Sequence, residues 1–481
     1  MIDFKYIFKN KKFINYTICI ITILLWIYLT LTNSNFSSNF NTDEIHAWDI
    51  ASTFGFLDII KLMRVEGHTC LWYFFLKPFT YFPDLFFPWI IKTLSWLFSF
   101  IALILFWTKS KINIFIKFLF TISFPILSLY PILGRSYSLC MLSMFIVAIL
   151  YKNRIQKPIL YAFAIFFAAN TDFMGAIGVF GFGLLFLYEI FKSNTVKKNI
   201  IPIIILFLIP ISLLIQWINF IVPVYVDSFI ANKFKIFGVE FNFISLNISE
   251  LTLFLLIFGF FTIIIYMLNS KKMLFYLGIT YFLMLITYLH VYNLGQHHLF
   301  LIIIELFIAY WITLDIEPDK KHSTTIINKK LSPSILIQIY LVITCIALFP
   351  KFVVNDFWFS NLSFYKDLAI CIADDLPDDS TIYMRAFSFQ NLPYINKIYK
   401  YKNFKLKTLY GTDINSYDAY YNSYTVKGFI NSHIDYLKEI KEKNSYLLII
   451  TTHLAYEDFE KAFSKRPNKL CEKYFKRYKL N

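Results

Sequence analysis

From Phe13 to Pro350 the chain returns repeatedly to unbroken apolar stretches, separated by short connections that carry most of the charge. A hydrocarbon core about 30 Å thick needs roughly 20 such residues in helical form, because every backbone N–H and C=O must be bonded within the segment. The stretches fall at 13–32, 86–107, 112–131, 134–151, 158–170, 173–191, 200–222, 250–269, 273–291, 297–314 and 332–350. They predict an all-α polytopic membrane domain of about eleven crossings. The stretch at 158–170 is short for a crossing and predicts a tilted, re-entrant or longer helix. Composition agrees: 58% hydrophobic and 20% aromatic residues against 16% charged cannot be hidden inside a water-soluble globule of 481 residues.

Orientation follows from the basic residues, since Lys- and Arg-rich loops resist translocation. Lys5, Lys9, Lys11 and Lys12 precede the first stretch. Every second connection after it is also basic, at Lys109/Lys111, Lys152/Arg154/Lys157, Lys192/Lys197/Lys198, Lys271/Lys272 and Lys320/Lys321/Lys329/Lys330. These predict cytoplasmic loops and a cytoplasmic N-terminus, in a bacterial inner membrane. The alternate connections then face outward: 33–85, the turns at Arg135 and at Asn170-Thr171-Asp172, 223–249, Tyr292 to His298, and everything after Lys351. The net charge of +15 is therefore a topology signal, and nucleic acid is not an expected partner. The first stretch is too long for a cleaved signal and lacks a small-residue cleavage pattern, so it is expected to remain as a helix.

Residues 1–350 are read as the membrane domain, with a large first outer loop at 33–85, and 351–481 as a small extracytoplasmic α/β domain. In the latter, strand-like runs at Thr381–Met384, Leu406–Tyr410 and Tyr446–Thr451 alternate with helical patterns at 435–443 and 456–463. The six cysteines form no framework, and no Walker loop, dinucleotide fingerprint or Cys/His metal spacing occurs. No cofactor is required by the sequence, and no nucleotide donor is indicated.

Ionisable side chains crowd the first outer loop: Asp43, Glu44, His46 and Asp49, then Glu66 and His68. Asn41 can cap a helix that carries Asp43 and Glu44 in its first turn, where the helix dipole favours an anion. That structural reading competes with a chemical one, in which charge at a membrane surface is there to be used. Trp48, Trp72 and Tyr73 are expected as interfacial anchors. An outward site beside a wide apolar body, without ATP, suits a sugar donor carried on a polyprenyl phosphate. Transfer from such a donor needs a carboxylate to take the acceptor's proton and cations near the leaving phosphate. Asp43 is the expected base, and Arg135 at the start of a later helix the expected phosphate ligand.

The same motifs resemble those of the GT-C membrane glycosyltransferases, a superfamily that includes protein O-mannosyltransferases and bacterial aminoarabinose transferases. Thr42-Asp43-Glu44 is similar to that family's acidic pair after the first span. Glu66-Gly67-His68 with Leu71-Trp72-Tyr73 resembles its Gly-His-Pro-Pro-Leu-Trp-Tyr stretch, with Thr69-Cys70 replacing the prolines. Gly134-Arg135-Ser136-Tyr137 resembles its Arg-x-Tyr, Asn170-Thr171-Asp172 its polar turn, and Gln296-His297-His298 its late Arg-His pair, with glutamine for arginine. The resemblance implies Asp43 as base with Glu44 as its neighbour or metal-coordinating partner, so that a divalent cation would sit at Asp43 and Glu44. It implies His68 and Arg135, with Glu66 and His46, at the donor phosphate or sugar, and Asp172, His297 and His298 at an acceptor or secondary site. The implied partners are a polyprenyl-phosphate sugar, membrane lipids, and a lipid, glycan or protein acceptor.

Two other classes stay open. A transporter or flippase of lipid-linked glycans would use Glu189 and Glu305, the chief acidic residues within the apolar stretches. A non-catalytic envelope assembly protein would use the outer loop for docking.

Overall fold

The computed structural model describes residues 11–33, 36, 39–40, 42–66, 68–221, 232–236, 239–243, 270–290, 296–316, 360–361, 376–384, 405–408, 445–450 and 475–479. The predicted spans at 250–269 and 332–350, and the helices expected at 435–443 and 456–463, lie outside these residues. The described part is mostly helical. In chain order the helices are α1 (Lys11–Leu31), α2 (Thr42–Thr53), α3 (Phe56–Glu66), α4 (Leu71–Thr80), α5 (Trp89–Lys109), α6 (Ile114–Thr121), α7 (Tyr137–Tyr151), α8 (Pro158–Ala169), α9 (Phe173–Lys192), α10 (Ile200–Ile221), α11 (Lys271–His290) and α12 (Gln296–Ile316). Among the described residues four helical stretches are long and apolar enough to cross a membrane: Phe13–Leu31, Trp89–Lys109, Phe173–Lys192 and Val196–Gln216. The protein is a polytopic helical membrane protein.

Helix α7 is the hub, buried along nearly its whole length, and it packs against α5, α8, α9 and α12. Helix α11 closes the bundle against α9 and α12, and α10 packs on α8. Between Thr42 and Thr80 the large first loop folds as three short helices, with α2 packed on α4 and α3 laid against α10, and a single turn of helix follows at Pro83–Phe86. Local chemistry explains the breaks. Asn113 accepts the Phe115 N–H at 2.8 Å and starts α6. Pro158 begins α8, where its missing N–H costs nothing.

The stretch expected to cross continuously at 112–131 is broken: α6 stops at Thr121 and a π-helical turn follows at Pro125–Leu129. Proline cannot donate to the preceding turn. In the rearranged segment the Ile126 carbonyl accepts instead from the Trp26 indole of α1, at 2.8 Å. The helix expected from 134 begins at Tyr137, leaving Gly134-Arg135-Ser136 as a turn. At 12 residues, α8 rises about 18 Å and is too short to cross alone. Trp48, Trp72 and Tyr73 are not lipid-facing anchors. All three are buried, Trp48 against Phe87 with ring centres 5.2 Å apart and Trp72 edge-on to Phe98 at 6.4 Å. Shape complementarity with neighbouring helices, invisible in one-dimensional spacing, draws them inward.

Contacts between distant segments sort the connections into two ends. At one end, β1 (Asn39–Phe40) pairs antiparallel with β4 (Ser360–Asn361), joining the first loop to the segment beyond Lys351, and His68 meets the Asp172 turn. At the other, Arg154 grips Glu189 through Nε and Nη2, both at 2.6 Å, while Lys272 adds a third contact at 2.6 Å. Lys111 also reaches Asp315, at 3.5 Å. The basic connections at Arg154 and Lys272 thus meet at the Lys192 end of α9 through Glu189; the one at Lys320 to Lys330 lies outside the described residues.

An antiparallel hairpin of β2 (Asn232–Ile236) and β3 (Val239–Phe243) occupies part of the connection after α10. Near the C-terminus a four-stranded sheet runs in the order β6 (Lys405–Thr408), β5 (Thr381–Met384), β7 (Ser445–Ile450), β8 (Phe475–Lys479). Strand β5 is parallel to both neighbours and β8 is antiparallel to β7. Parallel pairs require crossover connections, as an α/β unit demands. Three of these strands coincide with strand-like runs in the sequence, whereas β8, with its Lys-Arg-Tyr-Lys pattern, resembles a solvated tail.

In a background lacking the native cysteines, Ser52→Cys and Ser193→Cys should react with a membrane-impermeant thiol reagent from opposite faces of sealed vesicles. Labelling of both from one face would break this two-ended arrangement.

Candidate active site

The site is built where α2, the His68 turn, the Gly134–Ser136 turn and the Asn170–Asp172 turn converge. Asp43 and Glu44 stand in the first turn of α2, where unbonded N–H groups favour carboxylates. Successive helical residues point about 100° apart, so the pair divides. Asp43 is exposed and Glu44 is completely buried. Glu44 Oε1 accepts the Gly134 N–H at 2.6 Å, and Lys92 Nζ of α5 stands 3.5 Å from Oε2, equally buried. Gly134 must be glycine for this approach: a Cβ there would lie 2.5 Å from Ile91 Cγ2 and 3.3 Å from the Ile91 backbone.

The clamp sets the position of the next residue. Arg135 Nη1 donates to the Asp43 carbonyl at 2.8 Å, and the Arg135 carbonyl accepts from Ser95 Oγ at 3.2 Å. Arg135 Nη2 lies 2.5 Å from His68 Nε2. A guanidinium can only donate, so Nε2 accepts and the imidazole proton resides on Nδ1. Nδ1 faces Asp172 Oδ2 at 3.5 Å. The same oxygen accepts from Ser136 Oγ at 2.6 Å, while Asp172 Oδ1 caps α9 through the Met174 N–H at 3.0 Å. Asp172 is thus a helix cap and also the residue that orients His68.

A second network holds the His68 turn from below. The Cys70 N–H donates to Gln216 Oε1 of α10 at 2.8 Å, and Gln216 Nε2 donates to Asn170 Oδ1 at 3.0 Å. Ser212 Oγ donates to that Asn170 oxygen at 2.6 Å. Lys77 closes the other side of α2, donating to the Phe54 carbonyl at 2.7 Å beyond that helix's C-terminal end.

Of the residues singled out from sequence, Asp43, Glu44, His68, Arg135 and Asp172 come together. His46 is buried on α2 beside Asp49, whose charge it faces. Glu66 ends α3, and His297 and His298 lie in the first turn of α12; the side chains of all three fall outside the described residues. Sequence reasoning missed Lys92 and Gln216. The signal for Lys92 was present, a lone cation inside an apolar run, whereas an amide near a helix end carries none. A divalent ion does not fit Asp43 and Glu44 as a pair, because both Glu44 oxygens are occupied by Gly134 and Lys92. Among the described residues no group of three His, Cys, Asp or Glu side chains gathers as ligands.

Burial raises the Asp49 carboxyl to about 7, against the weaker opposing pull of His46 and a hydrogen bond from Thr53.

These features define a helical membrane protein whose extramembrane loop presents an exposed carboxylate beside an Arg–His pair. No family model matches the sequence, and no curated protein matches it. The chain is similar in structure to the crystal structure of ArnT from Cupriavidus metallidurans in the apo state, with a TM-score of 0.49 and 10% sequence identity, over 95% of this chain and 98% of that one.

Two outcomes test the site's construction. Lys92→Met leaves Glu44 buried without its cation and should lower stability by about 3 kcal/mol, with Glu44→Gln in the same chain restoring part of the loss in thermal unfolding. For Asp49, the folded state holds a proton that the unfolded state releases between pH about 4 and about 7, so stability falls as pH rises through that window. Asp49→Asn should therefore gain stability over the parent progressively across the same window, and a gap independent of pH would contradict the assignment.

Proposed function

We propose that the protein is a glycosyltransferase that moves a sugar from a polyprenyl-phosphate donor to an acceptor hydroxyl at the outer face of the cytoplasmic membrane. The observation that carries this reading is the tie of Arg135 to both Asp43 and His68, which sets an exposed carboxylate next to a guanidinium and an imidazole at one end of a lipid-embedded bundle. The motif resemblance to GT-C enzymes points the same way. The basic connections at the opposite end support an extracytoplasmic location for the site.

In this reading Asp43 takes the proton of the acceptor hydroxyl as its oxygen attacks the anomeric carbon. The bond from that carbon to the phosphate oxygen breaks, and its electron pair leaves with the polyprenyl phosphate. Arg135 meets the growing phosphate charge, with the His68 ring beside it. Asp172 and Ser136 hold the imidazole with its proton on Nδ1. Glu44 acts only through position, since it is sealed beneath the site by Lys92. Surrounding bilayer lipids form the route for the polyprenyl chain, and the acceptor is a lipid, glycan or protein hydroxyl. Ser360 and Asn361 are tied to the first loop by the β1–β4 pair.

The transporter reading loses one of its two acidic residues, because Glu189 is consumed by Arg154 and Lys272 at the basic end.

Purified protein incubated with radiolabelled polyprenyl-linked sugars should transfer label to a membrane extract. Asp43→Asn should cut transfer by about a hundredfold or more without loss of the folded protein. Arg135→Ala should weaken polyprenyl phosphate binding by roughly tenfold to a hundredfold, as expected for loss of a charge-assisted contact. Full transfer by Asp43→Asn would refute the assignment.

A further inference from the structure

Glu305 lies at the middle of α12, 1% exposed, and neither carboxyl oxygen has a hydrogen-bond partner among the described residues. It projects against Gly178 of α9, and only a residue without a side chain leaves it room. By helix rise it sits about 9 Å along α9 from Asp172 and about 16 Å from Glu189, well inside the bilayer. An isolated carboxylate at such a depth is very costly, so a group placed there is neutral or is in contact with water.

Its surroundings form a column. Tyr276 of α11, Cys140 of α7 and Tyr130 of the π-helical segment each lie within electrostatic reach of Glu305, and Gly178 is its contact on α9. Cys140 and Tyr130 also sense Asp172, above. Below, Tyr276 stacks on Phe182 with ring centres 3.8 Å apart, Phe182 meets Tyr151 edge-on at 5.6 Å, and Tyr151 meets Tyr161 at 6.0 Å. The Arg154 guanidinium covers the Tyr151 ring at 4.0 Å and belongs to the Glu189 ion pair. The Tyr276 and Thr280 hydroxyls face each other, and those of Tyr161 and Tyr151 are buried without a hydrogen-bond partner among the described residues. Buried polar atoms are almost always satisfied by protein or by water. The unsatisfied atoms of Glu305, Tyr161 and Tyr151, on three helices and ending at a charged cluster, are where such water would bind.

We propose that Glu305 is an intramembrane proton-binding site connected to the basic end of the bundle by a water file along Tyr276, Tyr161 and Tyr151. The proton on its carboxyl comes from that water and returns to it, and no other bond changes. The inference does not depend on the sugar-transfer reading. It assigns Glu305 a neutral, exchangeable carboxyl whose other neighbours, Cys140 and Tyr130, adjoin Asp172.

Infrared spectroscopy of the full chain in lipid vesicles tests this. The parent should show a protonated-carboxyl C=O band, missing in Glu305→Gln, that shifts within minutes of transfer to D₂O. Tyr276→Phe should keep the band and slow its shift at least tenfold. Treatment of the parent with dicyclohexylcarbodiimide, followed by peptide mapping, should place an adduct on Glu305, a readout that requires no variant to fold. Absence of both band and adduct would mean an ionised group and overturn the proposal. So would a band that stays unshifted for hours, or an exchange rate unchanged in Tyr276→Phe.

Discussion

The burial of Glu44 against Lys92 is the contact on which the site rests. It joins the first turn of α2, the interior of α5 and the backbone just before α7, three segments far apart in the chain. Two opposite charges taken out of water together are tolerable only when the remaining lone pairs are also bonded, and the Gly134 N–H meets that demand. Because this N–H precedes Arg135, the pair that stabilises the loop also aims the guanidinium. From Arg135 the order passes to His68, then to Asp172, and so to the start of α9.

The pattern repeats with different chemistry elsewhere. Lys77 and Lys117 are both buried cations that end on backbone carbonyls, at Phe54 and at Trp107 with Ser110. Each stands where a helix leaves C=O groups without partners and a negative dipole end. Arg154, Glu189 and Lys272 perform the equivalent tie at the other end. Lipid offers no polar partners, so buried polar atoms must find one another. The Glu305 carboxyl differs, because among the described residues neither of its oxygens has a hydrogen-bond partner.

Much of the architecture was legible in the sequence. Apolar run length located α1, α5, α9, α10, α11 and α12, since only helices of that length satisfy their backbones in hydrocarbon. The acidic pair after the first span was read correctly as the first turn of a helix. Run length failed at 112–131, where Pro125 interrupts the hydrogen-bond ladder without making the stretch less apolar. It failed again for Trp48, Trp72 and Tyr73, because an aromatic residue near a span end has the same one-dimensional signature whether it meets lipid headgroups or the next helix.

The sequence by itself determined the class of molecule and the position of most of its long described helices, because these depend on a quantity that adds along a chain: apolar length. Only the tertiary structure decided that Asp43 is exposed while its neighbour is sealed, that Lys92 and Gln216 belong to the site, and that Asp172 both caps a helix and orients His68. Those outcomes depend on which surfaces meet when distant helices pack, and hydrogen bonds across 67 or 146 residues of sequence leave no periodic trace.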